Sequence, residues 1–184
     1  MKWDVLVVGA GPTGSFVAKT IASSGFSTLL VEEHPRVGKP VQCAGLISPR
    51  AMKLTGLEHD IVLNKVRGIR VFSPFDTKLE AESGRVFSLV VDRAELDRRL
   101  AEKAQSAGAF LLTNTRITGL EQVAGGYRAT AQKGRKKMSI YASLVIGADG
   151  SNSRVAKWLD LACDIPKAVM YAAEVVLPRD NTDS

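Results

Sequence analysis

Residues 3–14 read WDVLVVGAGPTG, and the reading of this stretch decides the fold. Asp4 through Val8 form a nearly unbroken apolar run of the kind that fills a parallel strand buried on both faces. Gly9, Gly11 and Gly14 follow at the G-x-G-x-x-G spacing, with Pro12 and Thr13 between them. A strand is thus predicted to turn sharply into a helix. Gly9 permits the tight turn, Gly11 lets the backbone approach a pyrophosphate, and Gly14 lets the new helix pack against its strand. The helix N-terminus then offers free N–H groups and partial positive charge to phosphate.

The pattern is weak alone, and the segments on its C-terminal side strengthen it. A helix is expected over 15–24, Gly25 stands where a C-terminal stop belongs, and 28–31 form a second apolar strand ending at Glu32. Glu32 lies 18 residues past Gly14, where an acid is needed to accept hydrogen bonds from the ribose of an adenosine. Glu33 beside it leaves a one-residue ambiguity. Glu32 is preferred because it directly ends the apolar run.

The chain has 184 residues, 45% of them hydrophobic and 24% charged, enough for a sizeable core. The N-terminus enters the first strand with no basic segment or cleavage site, and no apolar run approaches the roughly 20 residues of a membrane span. The expectation is a cytoplasmic protein. Cys43 and Cys163 are too few for a disulfide scaffold, and with His34 and His59 far apart no metal site is expected. The formal charge is +6, with much of the excess at Lys133, Arg135, Lys136 and Lys137 around Gly134, read as the solvated tip of a hairpin. No aromatic residues interleave with these cations, so nucleic acid is not the expected partner.

Further along, 34–45 (HPRVGKPVQCAG) reads as a loop beside the nucleotide turn, and 49–57 as a short helix capped by Ser48. Strand-like runs at 66–72, 77–82 and 86–91 are expected to form a small antiparallel meander, an excursion into a second domain. Asp92 caps a helix over 93–107, with Ala94, Leu96, Leu100 and Ala104 at helical spacing. Residues 109–112 read as a third parallel strand. A second meander covers 115–122, 127–132 and 137–141, followed by a separate buried strand at 143–146, the turn Gly147-Ala148-Asp149-Gly150 and a helix from 153 to about 159. Residues 168–177 read as another strand.

With these segments laid out, the chain resembles the p-hydroxybenzoate-hydroxylase-like flavoproteins and, within them, the geranylgeranyl reductase family. VVGAGPTGS with VEEH, PVQCAGLIS, VDRAELDRRLA and VIGADGSNSRVAKWL carry the likeness. It implies an α/β fold: a Rossmann-like FAD-binding domain with parallel sheet and β-meander, plus the start of a second, antiparallel substrate domain. The expected division is 1–63 and 91–163 for the FAD-binding domain, and 64–90 and 164–184 for the partial substrate domain.

The same likeness implies that Gly9, Gly11 and Gly14 meet the FAD pyrophosphate, Glu32 the ribose and Arg93 the phosphate–ribityl region. Gly147, Asp149 and Gly150 are implied near the pyrophosphate, Asp149 acting through backbone groups, water or a cation because phosphate would repel it. Cys43, Ala44 and Gly45 are implied beside the flavin, with Cys43 a candidate to position substrate or relay a proton. The implied chemistry is reduction of double bonds in a prenyl lipid or geranylgeranyl diphosphate, with NAD(P)H or ferredoxin as electron donor and peripheral membrane contact. A flavin monooxygenase or halogenase and a non-catalytic nucleotide-binding fragment stand as alternatives. The family's members run to about twice this length, and a later G-D-A motif is absent here.

Overall fold

A computed structural model describes residues 2–161. The strand expected at 168–177, the domain portion at 164–184 and Cys163 lie outside the described residues.

The opening motif folds as its spacing demands. Strand β1 (Lys2–Val8) runs into helix α1 (Pro12–Ser23), which begins on a proline whose missing N–H costs a first turn nothing. Gly25, at φ +88°, then turns the chain into β2 (Thr28–Val31), which pairs parallel to β1. All four β2 residues are buried, as expected of a strand covered on both faces.

The chain leaves this sheet after Glu32 and returns much later. Short strand β3 (Leu46–Ile47), helix α2 (Pro49–Thr55), a 3₁₀ turn (His59–Ile61) and strand β4 (Val62–Val66) come after the long loop. Then come β5 (Gly68–Phe72), β6 (Lys78–Glu82) and β7 (Ser88–Val91). The single meander expected here is instead two sheets: β5 and β6 form a hairpin by themselves, while β7 lies between β3 and β4. The reason is burial. Leu89 and Val91 of β7 pack with Met52, Ile61, Leu96 and Leu100, and the hairpin's residues are all exposed, so nothing draws β7 to β6.

Helix α3 (Arg93–Ser106), capped by the Asp92 carboxylate accepting from the Glu95 N–H at 3.0 Å, carries the chain back to β8 (Phe110–Leu112), parallel beside β2. Strands β9 (Arg116–Val123), β10 (Gly126–Lys133) and β11 (Lys136–Gly147) complete a six-stranded sheet ordered β8-β2-β1-β11-β10-β9. The separate strand expected at 143–146 is the second half of β11. No glycine or proline breaks 136–146, so its first part pairs antiparallel with β10 and its second part parallel with β1. A short helix α4 (Arg154–Trp158) ends the described chain.

Two apolar clusters sandwich the parallel strands. Val5, Val7 and Leu30 meet Ala18, Ala22 and Ala104 from α1 and α3 on one side. Leu6, Val8, Leu29 and Val31 meet Ile117, Ala129, Ile140 and Val155 on the other. The small alanines let α1 and α3 sit close on the sheet, which brings their N-termini to the strand ends where β1, β2 and β11 stop. No helix among the described residues is long and apolar enough to cross a membrane.

Candidate functional site

The glycine turn is shaped by contacts that only glycine allows. Gly9 stands at φ +100°, and a β-carbon on it would lie 2.4 Å from the Ala148 carbonyl oxygen, so the turn after β1 presses on the turn after β11. Gly14 is buried against Gly9. Gly11 is different, since a β-carbon there would meet nothing within 4 Å. It is the N-cap of α1, with no side-chain cap and no acid in the first turn. The helix's first N–H groups and its positive end are therefore left unclaimed by its own side chains.

Glu32 is held from three directions. Its Oε2 accepts from the Ala10 N–H at 2.9 Å, and its Oε1 accepts from the His34 N–H at 2.9 Å and lies 2.7 Å from His34 Nδ1. Its backbone is tied to the β8–β9 region through Leu112 and Thr115. Glu33 points to the rim, exposed and paired with Arg116 Nε at 2.8 Å. The adjacent acids thus divide into one inside the cleft and one at its edge.

The loop after Glu32 is clamped to the start of α3 by two glycines. A β-carbon on Gly38 would lie 2.6 Å from the Ala94 carbonyl oxygen, and one on Gly45 would lie 2.4 Å from that of Val91. The Val91 N–H donates to the Gly45 carbonyl at 2.9 Å. This packing brings Cys43, a free and exposed thiol, into interaction with the Arg93 guanidinium. Arg93 Nε donates to Asp97 Oδ1 at 2.8 Å. Burial pushes the Asp97 carboxyl up, Arg93 counters this in part, and the Glu32 carboxylate adds to the rise. On Arg93 burial acts downward, but Asp97 and then Cys43 outweigh it and leave the guanidinium raised.

Sequence reasoning passed over Asp97 and His34. Asp97 carried a signal: it adjoins the buried stripe Leu96, Leu100, Ala104 and sits four residues after Arg93, the spacing at which side chains meet on a helix. His34 carried none, because its role depends on how the chain turns after β2.

At the far side, Asp149 accepts from the Ser153 hydroxyl at 2.6 Å and from the backbone N–H groups of Arg154 at 2.6 Å and Val155 at 3.2 Å. Its carboxylate supports the start of α4. Ser153 caps that helix by accepting from the Ala156 N–H at 3.0 Å. A β-carbon on Gly147 would lie 2.9 Å from the Val155 side chain, so its smallness makes room for α4.

These elements enclose one cleft of about 640 Å³, within the roughly 300–1,000 Å³ of small-molecule sites. Gly9, Gly11, Pro12, Thr13, Glu32, Glu33, Cys43, Arg93, Asp149 and Gly150 line it, as do His34, Asp97, Arg116 and Trp158. Gly14, Ala44, Gly45 and Gly147 are not among the lining residues; three of these glycines act by close packing behind it. An open glycine face, an uncapped helix N-terminus and a partly buried acid beyond them fit an elongated ligand with a phosphate at its middle.

A parallel βαβ unit with this turn, joined through β11 to a three-stranded meander, defines the class as an α/β dinucleotide-binding domain of the flavoprotein kind. The FAD binding domain family matches residues 2–183, and the chain belongs to that family. Among curated proteins, digeranylgeranylglycerophospholipid reductase of Methanosarcina mazei is 41% identical over 164 residues, which cover 85% of this chain and 40% of the reductase. The corresponding reductase 1 of Methanococcoides burtonii is 36% identical over 99% of this chain and 46% of its own length. A Methanosarcina barkeri protein from the 5′ region of nifH2 is 36% identical and is matched over 89% of its length. The crystal structure of a geranylgeranyl bacteriochlorophyll reductase-like protein from Thermoplasma acidophilum superposes with a TM-score of 0.76 at 29% identity, covering 86% of this chain and 42% of that one. Aklavinone-11 hydroxylase, solved with FAD and aklavinone, gives 0.69 at 25% identity over 86% and 35%. The chain matches the FAD-binding portion of the geranylgeranyl reductases and spans less than half the length of those reductases.

Proposed function

We propose that this chain seats FAD along the cleft and serves an enzyme that reduces the double bonds of a geranylgeranyl lipid. The observation that carries the reading is one continuous cleft joining the open face of Gly11, the uncapped start of α1 and the partly buried Glu32 carboxylate. In it, the α1 N-terminus with Gly9, Gly11, Pro12 and Thr13 holds the pyrophosphate, and Glu32 accepts from the ribose. Gly14 and Gly147 hold the turns in place from behind. Arg93, oriented by Asp97, reaches the phosphate–ribityl region with the remaining N–H groups of its planar fork. Asp149 and Gly150 shape the turn that faces the pyrophosphate, with the Asp149 charge turned toward α4 instead of the ligand.

FAD held there, once reduced by the electron donor, would supply a hydride to one carbon of a double bond while a proton reaches the other. The chain's own part is to orient the cofactor, fix its charges and exclude water around it. In the loop 38–45, Cys43 faces the cleft as the residue that positions the substrate or passes it a proton, and Ala44 and Gly45 support it from behind. The substrate is a prenyl lipid or geranylgeranyl diphosphate, and the electrons come from NAD(P)H or ferredoxin. The domain division runs at 1–63 with 91–163 and at 64–90 with 164–184. In support, the β5–β6 hairpin presents Ile69, Val71, Leu79 and Ala81 on one exposed face, a surface suited to an apolar chain. Contact with a membrane surface at a cytoplasmic location follows from such a substrate.

Two experiments test this. Titration of the purified chain with FAD should show saturable quenching of flavin fluorescence, and its absence would overturn the cofactor assignment. An enzyme carrying the cleft at full length should reduce prenyl-lipid double bonds, while this 184-residue chain alone should show little or no turnover. Coupled hydroxylation of an aromatic substrate would select the monooxygenase reading instead.

A further inference from the structure

We propose that His34 is a positioning residue for the adenosine ribose, locking the Glu32 carboxylate in the orientation that receives one hydroxyl of the diol. The inference rests on the assignment of Glu32 as ribose acceptor. A carboxylate offers roughly four lone-pair sites and only accepts, so His34 Nδ1 carries the hydrogen it shares with Glu32. Three sites are taken: Oε2 by the Ala10 N–H, and Oε1 by both the backbone N–H and the ring of His34. Oε1 is thereby filled, and the open site is on Oε2, the oxygen already tied to the glycine turn.

Without the ring, Glu32 would have two reasons to move. Its carboxylate would keep only the two backbone N–H bonds and regain part of its freedom, and the Asp97 carboxylate, electrostatically coupled to it in the same cleft, would push it away. The backbone of His34 is itself fixed, because its carbonyl accepts from the Asn114 N–H at 2.9 Å and Asn114 is held at φ +53°. Among the described residues no group of three histidine, cysteine or acidic side chains could hold a metal. The E-E-H of the VEEH segment is therefore a unit: Glu33 pairs outward with Arg116, Glu32 points inward, and His34 holds Glu32.

The test compares ADP with 2′,3′-dideoxy-ADP, which lacks only the diol, by calorimetry on the purified chain. The unaltered chain should prefer ADP by about tenfold, the scale of one hydrogen bond to a charged group. His34→Ala should bring that preference to about twofold or less, and His34→Asn, whose amide N–H reaches the same carboxylate oxygen, should restore most of it. Glu32→Ala should remove the preference, and adding His34→Ala to it should change nothing further. Circular dichroism verifies folding, with His34→Asn and the double variant as second readouts. A full preference in His34→Ala, or an equal loss for both nucleotides, overturns the proposal. An unaltered chain that binds FAD but ignores the diol overturns its premise, and one that binds neither FAD nor ADP overturns the proposed function instead.

Discussion

Gly14 packs so closely on Gly9 that a β-carbon there would lie 1.8 Å from the Gly9 carbonyl oxygen. The fingerprint glycines thus do two different jobs. Gly14→Ala should destabilise the fold by about 3 kcal/mol or more, because backbone must move. Gly11→Ala should cost about 1 kcal/mol or less, as an N-cap change into open space, yet weaken FAD by at least roughly tenfold. Urea denaturation beside flavin titration separates the two; equal stability losses would refute the distinction.

Asp149 and the start of α4 form a local capping unit. Asp149→Ala should cost about 1–2 kcal/mol, since two backbone N–H groups and the Ser153 hydroxyl lose their acceptor. Trp158, at the last turn of α4, reports on it: its emission should shift at lower urea in the variant than in the unaltered chain. An unchanged midpoint would show that α4 needs no such cap.

A surface network ties α3 to the 3₁₀ turn. Arg99 reaches both Asp60 oxygens at 2.7 and 2.8 Å, and Glu95 meets Arg98 and Arg99. Arg98 first, then Arg99, hold the Glu95 carboxyl at about 2, and Arg99 holds Asp60 below its ordinary value. Carboxyls lowered by folding contribute stability that is fully present above their unfolded values, near 4.5 and 3.8, and is lost as pH falls through the folded ones. The Tm should decline between pH 5 and about pH 2. In Glu95→Gln the decline should be shallower; an identical slope would count against the network.

Cys43 is exposed and lines the cleft beside Arg93. In a Cys163→Ser background, Ellman's reagent should modify Cys43 readily in the free protein and at least about fivefold more slowly with saturating FAD, through access alone. Unaltered reactivity would place the loop 38–45 away from the cofactor.

Much of the parallel unit was legible in the sequence because its determinants are local. The apolar run 4–8, the glycine spacing and the 28–31 strand each lie within a few residues of what they specify. The Ser48 and Asp92 caps are legible for the same reason, since each side chain bonds an N–H three residues on. Residues whose roles depend on distant partners were less visible. Asp149 reads in sequence as a neighbour of phosphate, and in the fold its oxygens are engaged by α4. His34 reads as an isolated histidine until the turn after β2 lays it on Glu32.

By itself, then, the sequence determined the strand–turn–helix–strand unit, the acid at its end and the helices that start at caps, because propensity, periodicity and capping act over one or two turns of chain. Only the tertiary structure decided that β7 leaves the β5–β6 hairpin for β3 and β4, and that β11 runs unbroken from meander to parallel sheet. It also decided that Glu32, His34, Arg93, Asp97 and Cys43 share one cleft. Those outcomes rest on burial of apolar surface and on hydrogen bonds between segments far apart in the chain, which no local pattern encodes.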